Sequence, residues 1–237
     1  MELAGPLRVE RGVTSVIGSG GKTSLIAALA RELPGTIVLT TTTHILPFAG
    51  VPLVTSDDAG DVVAALAGSR VVCVGSQAEK DGKLVAPELG MDVLAALADH
   101  VLVEADGSRR LPLKAHAPWE PVIPACSART VLVLGASGLG RPVREVVHRP
   151  ERFCELTGCA PNDVATPELV ARAANAEALA DVALVNQADV APDAARELAA
   201  QLGVPAVCGS LRSDARWTMG DTRQARGPQS REDGHER

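Results

Sequence analysis

Short apolar runs alternate with amphipathic stretches along most of the chain. Val13–Ile17, Thr36–Thr40, Val71–Val74, Val101–Glu104, Thr130–Leu134, Val182–Asn186 and Ala206–Cys208 read as strands. Several are nearly continuous in Val, Leu and Ile, as expected of strands covered on both faces. Between them, Lys22–Leu33 places Leu25, Ile26, Leu29 and Leu33 on one helical face. Ala59–Ala67, Met91–Ala98, Pro167–Ala174 and Pro192–Leu202 share that spacing. The alternation predicts an α/β fold with a doubly wound, mostly parallel sheet.

Three segments depart from the alternation. Asp81-Gly82 lies between short β-rich flanks in Ser76–Pro87, which predicts a small hairpin excursion. Pro112, Pro118, Pro121 and Pro124 fall within one short stretch, which predicts an extended, stiff loop. From Asp214 onward the pattern dissolves into Arg, Asp, Gln, Gly and Ser. The expectation is a single domain over 1–213 and a disordered tail over 214–237.

The strongest local signal follows the first strand: Gly18-Ser19-Gly20-Gly21-Lys22-Thr23-Ser24, with a helix opening at Lys22. Glycines let backbone amides converge on phosphate oxygens, and a helix N-terminus adds partial positive charge. Lys22 would reach the outer phosphates and the Thr23 hydroxyl would sit on Mg²⁺. Val16 stands where the full G-x-x-x-x-G-K-T motif has its first glycine. The loop is a shortened version, resembling the G-T-x-G-K-T loops of Mur-type ligases. The fold expected is therefore of P-loop type.

Two further strand ends carry polar chemistry. Thr40-Thr41-Thr42-Thr43-His44 closes the second strand, where hydroxyls of Thr41 and Thr42 can orient phosphate oxygens or metal-bound water. The alternative is that β-branched threonines simply favour strand. Val101-Leu102-Val103-Glu104-Ala105-Asp106 has the form of a Walker B strand. Alternation puts Glu104 and Asp106 on one face. Asp106, with Thr23, is expected to organise Mg²⁺, and Glu104 to activate water. The catalytic set is thus Lys22, Glu104 and Asp106. Directly after it, Arg109, Arg110 and Lys114 either clamp phosphate or an anionic substrate, or are solvated charges.

Val182–Asn186 runs into Gln187-Ala188-Asp189, which resembles the N-K-x-D element of GTP-binding proteins. In that element the Asp carboxylate accepts the guanine N1–H and exocyclic amine. Asn186 and Asp189 are the candidate base readers. Gln187 replaces the lysine whose stem packs along the base, so the choice between ATP and GTP stays open.

Composition narrows the function classes. The formal net charge is −6, and aromatic residues are confined to Phe48, Trp119, Phe153 and Trp217. An acidic chain poor in stacking platforms does not suit nucleic-acid binding. No apolar run is long enough to span a membrane, and Met1–Arg11 is too polar for a signal peptide. Five scattered cysteines, Cys154 and Cys159 spaced C-x4-C among them, fit buried thiols in a reduced cytoplasmic protein. The chain has few lysines, and Lys22 and Lys114 fall in its two most informative motifs.

Taken together, the phosphate loop, Thr40–Ile45, Leu102–Lys114, Glu120–Pro124, His148–Phe153 and Leu184–Asp189 resemble the YqeC family, the selenium-dependent molybdenum hydroxylase accessory proteins. The likeness spans about residues 5–212 and departs at His116-Ala117-Pro118-Trp119, where the family reads closer to P-A-E-H. The resemblance implies a cytoplasmic P-loop protein that assists maturation of these hydroxylases, with the hydroxylase or its cofactor as partner. The residues lead to an Mg²⁺-dependent nucleoside triphosphatase using ATP or GTP. The alternatives are a phosphotransferase or ligase acting on an anionic small molecule, and a non-catalytic, nucleotide-gated chaperone.

Overall fold

A computed structural model describes residues 2–78 and 82–212, together with the backbone of Thr218–Met219. The elements run β1 (Gly12–Gly18), α1 (Lys22–Glu32), β2 (Ile37–Thr41), β3 (Leu53–Val54), α2 (Ala59–Gly68) and β4 (Val71–Val74). Then come β5 (Ser76–Gln77), β6 (Leu84–Val85), α3 (Met91–Leu97), β7 (His100–Glu104), β8 (Leu113–Lys114) and β9 (Ser127–Gly135). The last group is α4 (Val143–Val146), β10 (Val147–His148), α5 (Pro150–Thr157), α6 (Pro167–Glu177), β11 (Val182–Asn186), α7 (Pro192–Gln201), β12 (Ala206–Cys208) and β13 (Thr218–Met219).

Nine strands form the central sheet in the order β13-β12-β11-β9-β1-β7-β2-β4-β3. Every pairing in it is parallel except β12 with β13. The fold is α/β, as expected, with apolar clusters on both sheet faces. One face packs Leu25, Ile26 and Leu29 of α1 with Leu3 and Leu7. The other packs Val62 of α2, Leu94 of α3, Phe153 of α5, Val170 of α6 and Leu198 of α7. This two-sided burial explains why the strands are continuous in Val, Leu and Ile.

Chain order reverses at β1, which lies between β7 and β9, so the loop after β1 opens at a topological switch point. Register brings three motifs to one sheet edge. Val16 of β1 pairs with Glu104 of β7, and Glu104 pairs with Thr41 of β2.

Local chemistry fixes the helix starts. Asp58 caps α2 through the Gly60 amide and Thr166 caps α6 through the Leu169 amide. Proline opens α5, α6 and α7, where its missing N–H costs nothing. Helix α1 follows Gly21, which offers no side-chain cap.

Some expectations need adjustment. Antiparallel β5 and β6 form the hairpin strands, although Asp81 of the expected turn lies outside the described residues. The tail expectation likewise lies outside them, apart from the backbone of β13. The proline-rich stretch is not only a stiff loop. Its β8 pairs with β10, and Leu113, Lys114, Ala115, His116 and Ala117 are all buried. Helices α4 and α5 were not anticipated: α4 has only four residues, and in α5 the charged Glu151, Arg152 and Glu155 interrupt the few apolar positions. No helix among the described residues is long and apolar enough to cross a membrane.

Candidate functional site

The turn from β1 into α1 is built so tightly that only glycine fits. Gly18, Gly20 and Gly21 have φ of 90, 86 and 133°. A Cβ on Gly20 would lie 2.5 Å from Gly135 Cα and 2.9 Å from the Pro112 carbonyl oxygen. The loop is thereby held between β9 and the segment before β8. Ser19 adds a hydroxyl hydrogen bond to the Leu111 carbonyl, and its amide donates to the Val133 carbonyl at 2.8 Å.

Lys22 is 4% exposed, an unusual burial for a lysine. Its Nζ donates to the Gly18 carbonyl at 2.8 Å and lies 3.0 Å from Asp106 Oδ1 and 3.7 Å from Glu104 Oε1. Ser108 Oγ stands 3.4 Å away. The two carboxylates of the acidic strand therefore do face one common point, and that point is the loop lysine.

Thr23 Oγ1, the hydroxyl expected on Mg²⁺, donates to Glu104 Oε2 at 2.8 Å. Asp106 lies past the end of β7, where the chain turns inward. Its Oδ2 accepts the Gly18 amide at 2.8 Å, contacts His116 Nε2 at 2.7 Å and lies 3.3 Å from Lys114 Nζ. Burial alone would raise the Asp106 pKa. The His116 hydrogen bond, Lys22 and Lys114 outweigh it and hold the carboxyl at about 2. Burial pushes Glu104 the other way, upward, against the pull of Lys22 and the Thr23 hydroxyl.

His116 had no role in the sequence reading, yet it is central to the geometry. Its ring joins Asp106 to Glu177 at the end of α6, with Nδ1 2.7 Å from Glu177 Oε2. Its amide donates to the other Glu177 oxygen at 2.6 Å. Two carboxylates on one imidazole require both ring nitrogens to donate, so the ring is an imidazolium. Burial lowers its pKa, but the bonds to Asp106 and Glu177 overcome that and leave it raised. Lys114 extends the network to Glu120 at 3.0 Å, and Arg149 closes it on the same carboxylate at 3.1 Å.

The remaining candidates divide by exposure. Thr23 and Ser24 are exposed at the start of α1, with first-turn amides that lack intrahelical partners. The Gly18 and Ser19 amides, by contrast, are already engaged. Thr41 Oγ1 donates to the Glu104 carbonyl at 2.8 Å, and Thr42 Oγ1 to the Val122 carbonyl at 2.7 Å, so both hydroxyls brace the site's backbone. Asn186 is buried. Its Nδ2 donates to the Gly20 carbonyl at 2.8 Å and its Oδ1 accepts the Leu211 amide at 2.9 Å. Asn186 thus ties the phosphate loop to the chain beyond β12, while Asp189 is exposed. Arg109 and Arg110 are exposed in left-handed backbone, φ 49 and 63°, and make no ion pair among the described residues.

The donor set fits a hard divalent cation. Thr23 and Glu104 present adjacent oxygens at an exposed helix start, and such ions take carboxylate, hydroxyl and phosphate oxygens. Asp106 Oδ1, buried without a hydrogen bond, is compensated by Lys22 alone among the described residues.

The family model described as "YqeC protein" matches residues 14–151, more than half of the chain. The chain belongs to the YqeC family. That YqeC match contains the phosphate loop, the threonine run, the acidic strand, Lys114, His116 and Arg149. It stops short of Glu177, Asn186 and Asp189. The uncharacterized protein YqeC of Escherichia coli (strain K12) is 39% identical over 160 residues, 63% of this chain and 62% of that protein. The chain therefore aligns with under two thirds of that YqeC relative. No solved structure matches it significantly.

Proposed function

We propose that the protein binds a nucleoside triphosphate with Mg²⁺ and hydrolyses it. One observation carries this reading. A buried lysine in a glycine-rich strand-to-helix turn is held between two carboxylates, with the next hydroxyl on the nearer carboxylate. Lys22 would exchange its carboxylate partners for phosphate oxygens, next to the first-turn amides of α1. When Lys22 leaves, His116 and Lys114 remain on Asp106 Oδ2 and keep the carboxylate paired through that oxygen. Thr23 and Glu104 would hold Mg²⁺, with Asp106 positioning Lys22 and the loop. The ion would neutralise charge on the phosphate oxygens. Phosphoryl transfer asks mainly for such positioning and charge stabilisation.

Family membership supports an accessory, maturation-related role in general. The finer reading is assistance to selenium-dependent molybdenum hydroxylases, with the enzyme or its cofactor as partner and ATP or GTP as the nucleotide.

A second reading, transfer to an anionic acceptor, is favoured by two arginines that make no ion pair among the described residues. Arg109 and Arg110 stand in left-handed backbone, a conformation that non-glycine residues adopt at ligand clamps. Burial first, and then Lys114, Arg149 and Arg109, hold the His148 pKa below its ordinary value, so positive charge converges beside them. Product analysis separates the readings. Phosphate released from Mg·ATP or Mg·GTP alone supports hydrolysis, whereas release only with an added anionic acceptor supports transfer. Absence of turnover in both, with nucleotide bound, selects the nucleotide-gated chaperone.

A further inference from the structure

Of the five cysteines, Cys154 and Cys159 are the pair in contact, with their Sγ atoms 3.4 Å apart. Cys73 and Cys208 are buried singly, and Cys126 is exposed. The contact follows from how α5 ends. Gly158 adopts φ 75° and its amide donates to the Cys154 carbonyl at 2.7 Å, which reverses the chain over the helix's last turn. The turn is anchored: Phe153 and Thr157 are buried, and Arg172 Nη1 donates to the Thr157 carbonyl at 2.9 Å. Both thiols are half-buried, within reach of a small reagent, and the phosphate-loop network uses neither.

We propose that Cys154 and Cys159 form a dithiol–disulfide pair that closes by exchange with a low-molecular-weight disulfide of the glutathione type. Forming a bond of about 2.05 Å brings the sulfurs together by roughly 1.4 Å, within reach of side-chain rotation. One of the two cysteines gives up its proton to the solvent, attacks one sulfur of the disulfide, expels one thiolate and carries the mixed disulfide. The other then gives up its proton to the solvent and attacks that cysteine's Sγ, expelling the second thiolate. Two protein thiols are oxidised, one external disulfide is reduced to two thiols, and no other reactant enters.

The environment sets the pH dependence of the exchange. Burial, and then the hydrogen bond with Cys159, push the Cys154 thiol up to about 11, so exchange quickens as pH rises. The second step is favoured because it is intramolecular.

The full-length protein, equilibrated across ratios of reduced to oxidised glutathione, tests this. After acid quenching and alkylation, trypsin releases Phe153–Arg172 as one peptide carrying both cysteines. The expected result is a shift from the doubly alkylated peptide to a non-alkylated one lighter by two hydrogens, reversed by dithiothreitol. Cys154→Ser should stop with glutathione on Cys159. A wild-type peptide that keeps two alkylatable thiols, or carries glutathione without closing, at the most oxidising ratio overturns the proposal. A Cys154→Ser protein whose Cys159 stays free likewise overturns it.

Discussion

The Thr23 hydroxyl donates to Glu104 Oε2 at 2.8 Å, joining the start of α1 to the end of β7. This bond places the exposed Thr23 hydroxyl beside the buried Glu104 carboxylate, the pair proposed to hold Mg²⁺. Thr23→Ala should therefore lower Mg²⁺-dependent nucleotide affinity by on the order of ten- to a hundredfold, while Thr23→Ser restores it. Nucleotide titrations with and without EDTA check this. Equal metal dependence in wild type and Thr23→Ala would remove the assignment.

The imidazolium of His116 lies between two carboxylates, buried Asp106 and half-buried Glu177, so its loss leaves both short of a partner. His116→Gln should cost about 3 kcal/mol of stability near pH 5.5, the range found when a buried ion pair loses one member. The pH dependence has a defined sign. The stabilisation from Asp106 is complete above its unfolded value near ~3.9 and fades as pH falls towards about 2. The stabilisation from His116 is complete below its unfolded value of about 6.5 and is lost as pH rises through its raised folded value. Urea midpoints should differ most between pH ~4 and ~6.5, and the gap should narrow in alkali. A constant gap across the range would contradict the imidazolium.

Gly20 lies against the Gly135 backbone, where an added Cβ has no flexible neighbour to displace. Gly20→Ala should destabilise the fold by roughly 1–3 kcal/mol and weaken nucleotide binding together with it. Gly50→Ala serves as the control, because φ there is also positive but the space is open. Chemical denaturation and nucleotide titration of both variants check the pair. Intact nucleotide affinity in Gly20→Ala would show that the loop is not the binding element.

Asp189 is exposed beyond β11, while Asn186 is spent on the phosphate loop. Asp189→Ala should weaken GTP and leave ATP unchanged if the carboxylate reads guanine. Competition titrations of the two nucleotides measure it, and an unchanged preference would remove the base-reading role.

The fold was legible because its strands are continuous in Val, Leu and Ile and because α1, α2, α3, α6 and α7 each keep one apolar face. Helices α4 and α5 were not legible: α4 has four residues, and Glu151, Arg152 and Glu155 break up the apolar positions of α5 between Pro150 and Gly158. Within the site, Lys22, Thr23, Glu104 and Asp106 could be located because each sits at a strand end or helix start. Their pairing could not, because it depends on where Asp106 turns after β7. His116 and Glu177 are separated by 61 residues and share no motif. The available hint was a lysine and a histidine alternating with the apolar residues Leu113, Ala115 and Ala117, a pattern of burial inside what reads as a loop.

Thermal unfolding with and without Mg·ATP and Mg·GTP tests the central claim most directly. At about 100 times the dissociation constant a ligand adds ~2.7 kcal/mol to the folded state. Wild type should gain thermal stability with at least one nucleotide, and Lys22→Ala, which lacks the phosphate partner, should gain none. A wild-type protein whose unfolding temperature moves with neither nucleotide would contradict the account.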